Sequence, residues 1–331
     1  MRSLWISQLW ILAAVFYDGD GQLTVIGGAS PGGVFVTAFI QQGGNEILPT
    51  AEIILTANMV PANVIISIRQ SDLKMEMTVQ KGQTVTVPIN PSTEFKGTTQ
   101  IPNTVKIEAD ADITVISRNT INGNGDVSVV YPSDYLGNNY YIITPPNGPK
   151  NQYTEFSVIC LEIETTIIID LMGAVTVNGI MYSKGERMTL NLMPGEAFQI
   201  QSDESLSGSR VEANQNIAVI AGQTCASIVD CNLVYEQLLP VTRWGTCFDI
   251  PGNVIRSNNE IVYVMAAQRT SITYKSGQVQ VTMEVDAGEL AQIKPTESTP
   301  LSIQSTHGIQ VLYYGCSGIF ENVPGKPPAS G

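Results

Sequence analysis

The sequence predicts an all-β protein built from tandem, diverged β-sandwich-like units of about 100 residues each. Three observations predict this fold class: short segments alternate apolar and polar residues, turn-forming residues recur about every ten positions, and longer motifs return after about 100 positions. No amphipathic helix longer than about two turns is evident in the pattern. A β-propeller with blades of about 45–50 residues is the alternative closure for so many short strands.

The alternating segments are typical of strands that bury one face. Residues 73–79, LKMEMTV, place Leu, Met, Met and Val on one side and Lys, Glu and Thr on the other. Residues 165–170, TTIIID, are almost continuously apolar and β-branched, which indicates a strand that is buried on both faces. Further alternating segments lie at 84–87, 105–109 and 279–285. Clusters of Gly, Asn and Pro between such segments predict turns.

Two motifs recur along the chain and indicate an internal repeat. EADADITVI begins at Glu108, and EANQNIAVI begins at Glu212, 104 positions later. KGQTVTV begins at Lys81, KGERMTL at Lys184 and AGELAQI at Ala287, each 103 positions after the one before. Because the separations agree at several points, they favour repeated units over a chance similarity of strand patterns.

The repeat divides the chain into three predicted β units with a short segment at each end. The third unit is predicted to be incomplete, since its Pro and Gly-aromatic strands do not follow, and the polar tail after it is predicted to be disordered. The predicted boundaries are 1–17 for a signal peptide, 30–147 for the first unit, 148–256 for the second, 257–322 for the third and 323–331 for the tail.

The charge and the single histidine exclude several function classes. Seventeen Lys and Arg against 30 Asp and Glu give a net charge of −13, which repels nucleic acid and anionic membrane surfaces. His307 is the single histidine of the sequence, which nearly excludes catalysis through a His triad and a His-rich metal site. Paired carboxylates such as Glu162 and Glu164 are more typical of a solvated face than of a glycosidase dyad. The sequence therefore predicts no enzyme, no cofactor and no catalytic or metal-binding residue.

The N-terminal residues predict secretion. Residues 1–17 carry one charge, at Arg2, and an apolar run from Leu4 to Phe16. That run is too short for a membrane helix, which needs about 20 residues, but it has the length of a signal-peptide core. A buried first strand or helix of the fold is the alternative. No later segment is apolar enough for a membrane anchor, so we expect a secreted, extracellular protein.

Five cysteines agree with an oxidising compartment. Cys225 and Cys231 flank a short polar loop that a disulfide would close and hold. A metal site at this place lacks the further ligands that zinc needs. The remaining three cysteines lie in apolar segments, where all are buried thiols or two of them pair: Cys160, Cys247 and Cys316.

A tyrosine-rich segment, YPSDYLGNNYYIITP, is a candidate binding surface. Its candidate contact residues are Tyr131, Tyr135 and Tyr140, because tyrosine near loop tips is common in recognition surfaces. The alternative places Tyr140 and Tyr141 on opposite faces of one strand, with one ring in the core and the other outside.

Three segments carry a resemblance to a known family. Residues 32–41, 181–226 and 231–251 are similar to the N-terminal domain of the IgG Fc-binding protein of mucus, and the similarity runs from about residue 25 to about residue 320. The succession Leu-Ser-Gly-Ser, Ala-Val-Ile, Glu-Gln-Leu-Leu-Pro and Trp-Gly-Thr keeps its order and spacing. The resemblance implies secretion, protein binding and a structural disulfide between Cys225 and Cys231, but no residue-level binding motif. The von Willebrand factor type D modules of the family's full-length members do not occur in this sequence.

The function predicted from these observations is that of a secreted, non-enzymatic binding module. The resemblance implies IgG Fc or mucus glycoproteins as partners, and neither nucleic acid nor a membrane is expected. The alternative is a structural or adhesion protein of mucus or extracellular matrix that acts by self-association or through glycan contacts.

Overall fold

The computed structural model describes residues 16–17, 23–24, 33–43, 49–69, 73–121, 124–145, 152–225, 233–252, 261–295 and 299–314. Within these ranges the regular elements are β-strands and short 3₁₀ turns, which confirms the predicted all-β fold class. The 3₁₀ turns are Pro91–Thr93, Ser133–Tyr135 and Val241–Arg243. Among the described residues, no helix has the length and apolar character needed to cross a membrane.

Unit 1 is a sandwich of two four-stranded antiparallel sheets. One sheet has the order β3 (Gly33–Thr37), β9 (Val105–Ala109), β5 (Ala62–Ile68) and β6 (Leu73–Val79). The other has the order β11 (Asn124–Val130), β10 (Ile113–Ile121), β4 (Thr50–Ala57) and β7 (Thr84–Ile89). Alternate side chains of both sheets form one core, as the period of two predicts.

Unit 2 is built around one long strand. The sheet has the order β17 (Arg187–Leu192), β14 (Thr165–Asp170), β19 (Arg210–Gln223), β13 (Thr154–Cys160), β18 (Ala197–Ser202) and β8 (Thr99–Ile101). Two further strands pair with β19: β12 (Gly137–Tyr141) and β20 (Val234–Gln237). A separate hairpin consists of β15 (Val175–Val177) and β16 (Ile180–Tyr182).

Unit 3 repeats this plan with fewer described strands. Its sheet has the order β24 (Val279–Val285), β23 (Thr270–Ser276), β26 (Leu301–Tyr314), β22 (Ile261–Ala266) and β25 (Leu290–Ile293). One more strand, β21 (Gly245–Ile250), pairs with β26. The apolar side chains of these strands form a core of their own.

The three units share one pattern of strand pairing. In unit 1, β3 and β5 pair with β9, and β4 pairs with β10. In unit 2, β12 and β14 pair mainly with the N-terminal half of the longest strand, β19, and β13 pairs with its C-terminal half. In unit 3, β21 and β23 pair mainly with the N-terminal half of the longest strand, β26, and β22 pairs with its C-terminal half. In unit 1 the longest strand is interrupted at 110–112 and forms β9 and β10. Equivalent cross-strand pairs are Ala57 with Ile113, Cys160 with Ile217, and Ala266 with Ile309. Such pairing differs from the separate four-stranded blades of a propeller.

One part of the predicted repeat register was wrong by ten positions. Gly82, Gly195 and Gly288 all have positive φ, at 71°, 73° and 73°. Their N–H groups donate to the carbonyls of Ala57, Cys160 and Ala266, at 2.7, 3.0 and 2.8 Å. PGEAFQI at 194–200 is therefore the counterpart of KGQTVTV, rather than KGERMTL at 184–190. Both segments open with a turn and continue as a strand, so periodicity alone does not distinguish them.

The 3₁₀ turns Ser133–Tyr135 and Val241–Arg243 lie where one unit passes into the next. The strand after each turn, β12 or β21, pairs within the following unit. We therefore propose unit boundaries near Pro132 and Pro240, which are earlier than the boundaries at 147 and 256 expected from the sequence.

Apolar clusters join neighbouring units. The cluster between units 1 and 2 includes Val36, Phe95 and Tyr235, and the one between units 2 and 3 includes Tyr141 and Tyr263. Because these side chains are buried, neighbouring units pack directly against each other.

Both predicted terminal segments fall largely outside the described residues. Of the predicted signal peptide, only Phe16–Tyr17 is described, as β1, which pairs with β2 (Leu23–Thr24). The remainder of 1–17 and the tail 323–331 are outside the description, so these two assignments stay predictions.

Candidate binding surface

Tyr140 lies in the core of unit 2. Its side chain is fully buried, its hydroxyl donates to the carbonyl of Ile217 at 2.7 Å, and the N–H of Gly137 donates to the same hydroxyl at 3.0 Å. Burial raises the pKa of the Tyr140 phenol above its usual value. The structure thereby corrects the assignment of Tyr140 to a binding surface, since its ring holds β12 against β19 and is not available to a partner.

Tyr131 and Tyr135 are partly buried beside the first junction. Tyr131 packs against the cluster between units 1 and 2, and burial, with a smaller effect of Glu236, raises the pKa of its phenol. The guanidinium of Arg243 lies 4.9 Å from the centre of the Tyr135 ring and donates to the carbonyl of Asp134 at 2.9 Å. This cation–π contact orders the Tyr135 ring, and the role of both tyrosines in binding stays a proposal.

Tyr141 occupies the second junction rather than the solvent. It follows Tyr140 on β12 and therefore points to the opposite face, as the alternative interpretation predicted. Its ring centre lies 6.1 Å from that of Trp244, and the Arg210 guanidinium lies 5.9 Å from it. The face expected to be outside is thus covered by unit 3.

The described cysteines are buried or partly buried. Cys160 and Cys247 are free thiols and are not paired with each other, and burial raises the pKa of the Cys160 thiol. Cys225 is buried and is not one of the free thiols. Cys231 and Cys316 lie outside the described residues, so the pairing of Cys225 with Cys231 stays a prediction.

Two partly buried carboxylates, Asp126 and Glu236, connect β11 of unit 1 with β20 of unit 2. Asp126 accepts the N–H of Tyr235 at 3.1 Å, and Glu236 accepts the hydroxyl of Ser128 at 3.0 Å. Burial raises the pKa of Asp126 to about 6 and the pKa of Glu236 to about 8, the latter with a contribution from Asp126. The hydrogen bonds of Asp126 and Glu236 join units 1 and 2. Burial favours the protonated form of each carboxyl group.

The carboxylate of Glu155, on β13, is fully buried. Gln201 donates to its Oε2 at 2.7 Å, while its Oε1 has no hydrogen-bond partner among the described residues. Burial raises the pKa of Glu155 well above its usual value. The burial of Glu155 departs from the solvated face expected for carboxylates, although a Glu inside the apolar strand TEFSVIC was a signal of it. The described residues contain no group of three or more His, Cys, Asp or Glu that could hold a metal ion.

The hairpin of β15 and β16 exposes apolar side chains. Asn178 and Gly179 form its turn with φ of 50° and 80°, the conformation of a type I′ turn, for which Asn-Gly is favoured. Ile180 and Met181 follow the turn and are 61% and 69% exposed. Exposed apolar patches rimmed by polar residues are typical of protein-binding sites. This hairpin is not among the elements expected from the sequence, and its Asn-Gly pair is the signal that could have predicted it.

The fold and this surface define a class: an all-β protein of tandem sheet units that presents an exposed apolar hairpin. The IgGFc binding protein family model matches residues 126–328, which is more than half of the chain. The human IgGFc-binding protein is 31% identical over 297 residues, which cover 88% of this chain. The chain therefore belongs to the IgGFc binding protein family. It spans only about 6% of the length of the human protein.

Solved structures add nothing to this assignment. The match to a chain of the lipid-containing bacteriophage PM2 structure covers 83% of this chain and 84% of the phage chain, at 10% identity and a TM-score of 0.14. The major pilin protein T-13 of Streptococcus pyogenes covers 84% of this chain and 97% of its own, at 11% identity and a TM-score of 0.11. Both scores are too low to carry an argument about fold.

Proposed function

We propose that this protein is a secreted, non-enzymatic binding module whose partner is the Fc region of IgG. The observation that carries the proposal is its family membership, with 31% identity to the human IgGFc-binding protein over most of the chain. Mucus glycoproteins are the second class of partner that we propose, on the sequence resemblance alone.

The proposed secretion rests on the sequence and on one structural feature. Residues 1–17 have the pattern of a signal peptide, and Cys225, which is buried and is not one of the free thiols, would pair with Cys231 in the proposed disulfide. The non-enzymatic character rests on the family and on where the perturbed carboxylates lie. Asp126 and Glu236 are hydrogen-bonded inside a junction between units, which gives them a structural role.

The hairpin of β15 and β16 is the face that we propose for the partner. It lies within the residues that the family model matches, and it presents Ile180 and Met181 to solvent. Ser183, Lys184 and Glu186 follow it and supply the polar rim that surrounds the apolar centre of most protein interfaces.

Replacement of the apolar pair, Ile180→Ser with Met181→Ser, is expected to weaken Fc binding. Truncation at a hot spot of an interface costs about 2 kcal/mol or more, so with Ile180 and Met181 as such a hot spot the dissociation constant should rise about thirtyfold. Both residues are exposed, so the fold should persist. Biolayer interferometry on immobilised IgG Fc, with Fab as the reference surface, measures the change.

The matched control is Met59→Ser with Val60→Ser. This exposed apolar pair occupies a turn of unit 1, outside the residues that the family model matches. The control variant should bind Fc as the unaltered protein does. Equal loss in both variants, or unchanged binding in the hairpin variant, would contradict the proposed face.

A further inference from the structure

A cavity of about 310 Å³ opens at the junction of units 2 and 3. Its lining includes Asn139, Tyr141, Arg210, Gln268, His307 and Gly308. The volume is at the lower end of the range of about 300–1,000 Å³ that is usual for ligand sites. The cavity therefore suits a small ligand with several polar groups.

The internal repeat identifies the residues of the first junction that correspond to the residues around this cavity. Ile113 corresponds to Ile217, and Lys106 precedes Ile113 by as many residues as Arg210 precedes Ile217, so Lys106 corresponds to Arg210. In the same way, Glu108 corresponds to Glu212. Because Cys160 corresponds to Ala266, Glu162 corresponds to Gln268. The two junctions can thus be compared residue by residue.

The first junction closes with two ion pairs around one cation. Lys106 Nζ lies 3.0 Å from a carboxylate oxygen of Glu108, on its own strand, and 3.2 Å from one of Glu162, in the next unit. At the second junction, Arg210 likewise forms an ion pair with a carboxylate on its own strand, that of Glu212, at 2.7 Å. Gln268, which is neutral, occupies the position equivalent to Glu162, so unit 3 supplies no second carboxylate at this position.

The guanidinium of Arg210 retains unused donors at this place. Its Nε donates to Asn139 Oδ1 at 3.4 Å and its Nη2 donates to Glu212, whereas no described residue accepts from Nη1. The Tyr141 ring lies 5.9 Å away and holds the guanidinium plane beside the cavity. Arginine with free donors is well suited to a carboxylate, because a guanidinium can bind it through two parallel hydrogen bonds.

We propose that this cavity binds a carboxylated sugar residue, of the sialic or uronic acid kind, whose carboxylate pairs with Arg210 as the carboxylate of Glu162 pairs with Lys106 at the first junction. Asn139 and Gln268 offer amide groups to ring hydroxyls. This site is separate from the hairpin of the proposed Fc interface, and either can fail without the other.

Isothermal titration calorimetry with the unaltered chain tests the proposal. N-acetylneuraminic acid and glucuronic acid distinguish the two sources of carboxylate, with galactose as the neutral sugar and acetate as the bare carboxylate. We expect at least one acidic sugar to bind, with galactose and acetate at least about tenfold weaker, since a charge-assisted hydrogen bond is lost in one case and the sugar contacts in the other.

Two variants assign the binding to this cavity. Gln268→Glu restores the carboxylate of the first junction and should weaken acidic-sugar binding at least about tenfold without lowering the melting temperature. Arg210→Gln should weaken it similarly. Lys106→Gln, at the equivalent place of the first junction, should leave it unchanged. Absence of binding by both acidic sugars, equal binding of galactose or acetate, or an unaffected Gln268→Glu variant would overturn the proposal.

Discussion

A rise in pH from 5 to 9 is expected to lower the free energy of unfolding, by an amount on the order of 5 kcal/mol. Burial raises the pKa of Glu236 from 4.5 to about 8 and that of Asp126 from 3.8 to about 6. In the unfolded chain both groups lose their protons near their ordinary values. The stabilisation by the bound protons is therefore complete below about pH 4 and is lost as the pH rises through about 6 and then about 8.

The variant Glu236→Gln separates this effect from other titrations. Its amide keeps the shape of the side chain and can still accept the hydroxyl of Ser128, but it cannot ionise. Urea unfolding at pH 5, 7 and 9 should show a flatter pH dependence in this variant than in the unaltered protein. Glu76→Gln is the control, because Glu76 is exposed and the ammonium of Lys74 lowers the pKa of its carboxyl. The same slope in all three proteins would contradict the assignment.

Replacement of Tyr235 by Ala is expected to lower the free energy of unfolding by about 3–5 kcal/mol, the usual cost of truncating a buried aromatic side chain. Tyr235 is one of the largest buried side chains, and it belongs to the apolar cluster between units 1 and 2. Its hydroxyl donates to Ser117 Oγ of β10 at 3.0 Å, so the residue links β20 of unit 2 directly to unit 1.

Loss of this side chain should also uncouple the two units. Calorimetry of Tyr235→Ala should show separate transitions where the unaltered protein unfolds these units together. Tyr235→Phe keeps the ring and removes only the hydrogen bond, at a cost of about 1 kcal/mol. A Phe variant as unstable as the Ala variant, or an Ala variant with one unchanged transition, would show that the cluster does not join the units.

The fold class could be predicted from the sequence because a strand leaves its mark in neighbouring residues. Alternation in LKMEMTV and the recurrence of EADADITVI as EANQNIAVI both reflect side chains that face one core. The structure places Ile113 and Ile217 at equivalent positions, 104 residues apart, as the motifs predict. The next equivalent, Ile309, comes after only 92 residues, because the loops between strands are free to change length.

The binding features could not be predicted in the same way, since they depend on contacts between units. Tyr140 and Tyr141 are neighbours in a tyrosine-rich segment, yet one lies in the core of unit 2 and the other against unit 3. The burial of Glu236 depends on its contact with Ser128, more than 100 positions away in the chain. The absence of a second carboxylate beside Arg210 becomes evident only when Gln268 is aligned with Glu162 through strand pairing.

Sedimentation velocity of the chain, expressed in an oxidising host, with and without IgG Fc tests the proposed function most directly. The account predicts that the chain alone sediments as one species over a wide concentration range, and that it forms a complex of defined stoichiometry with Fc but not with Fab. Folded protein that forms no complex with Fc and self-associates increasingly with concentration would contradict it. That result would instead favour a structural protein of mucus or extracellular matrix.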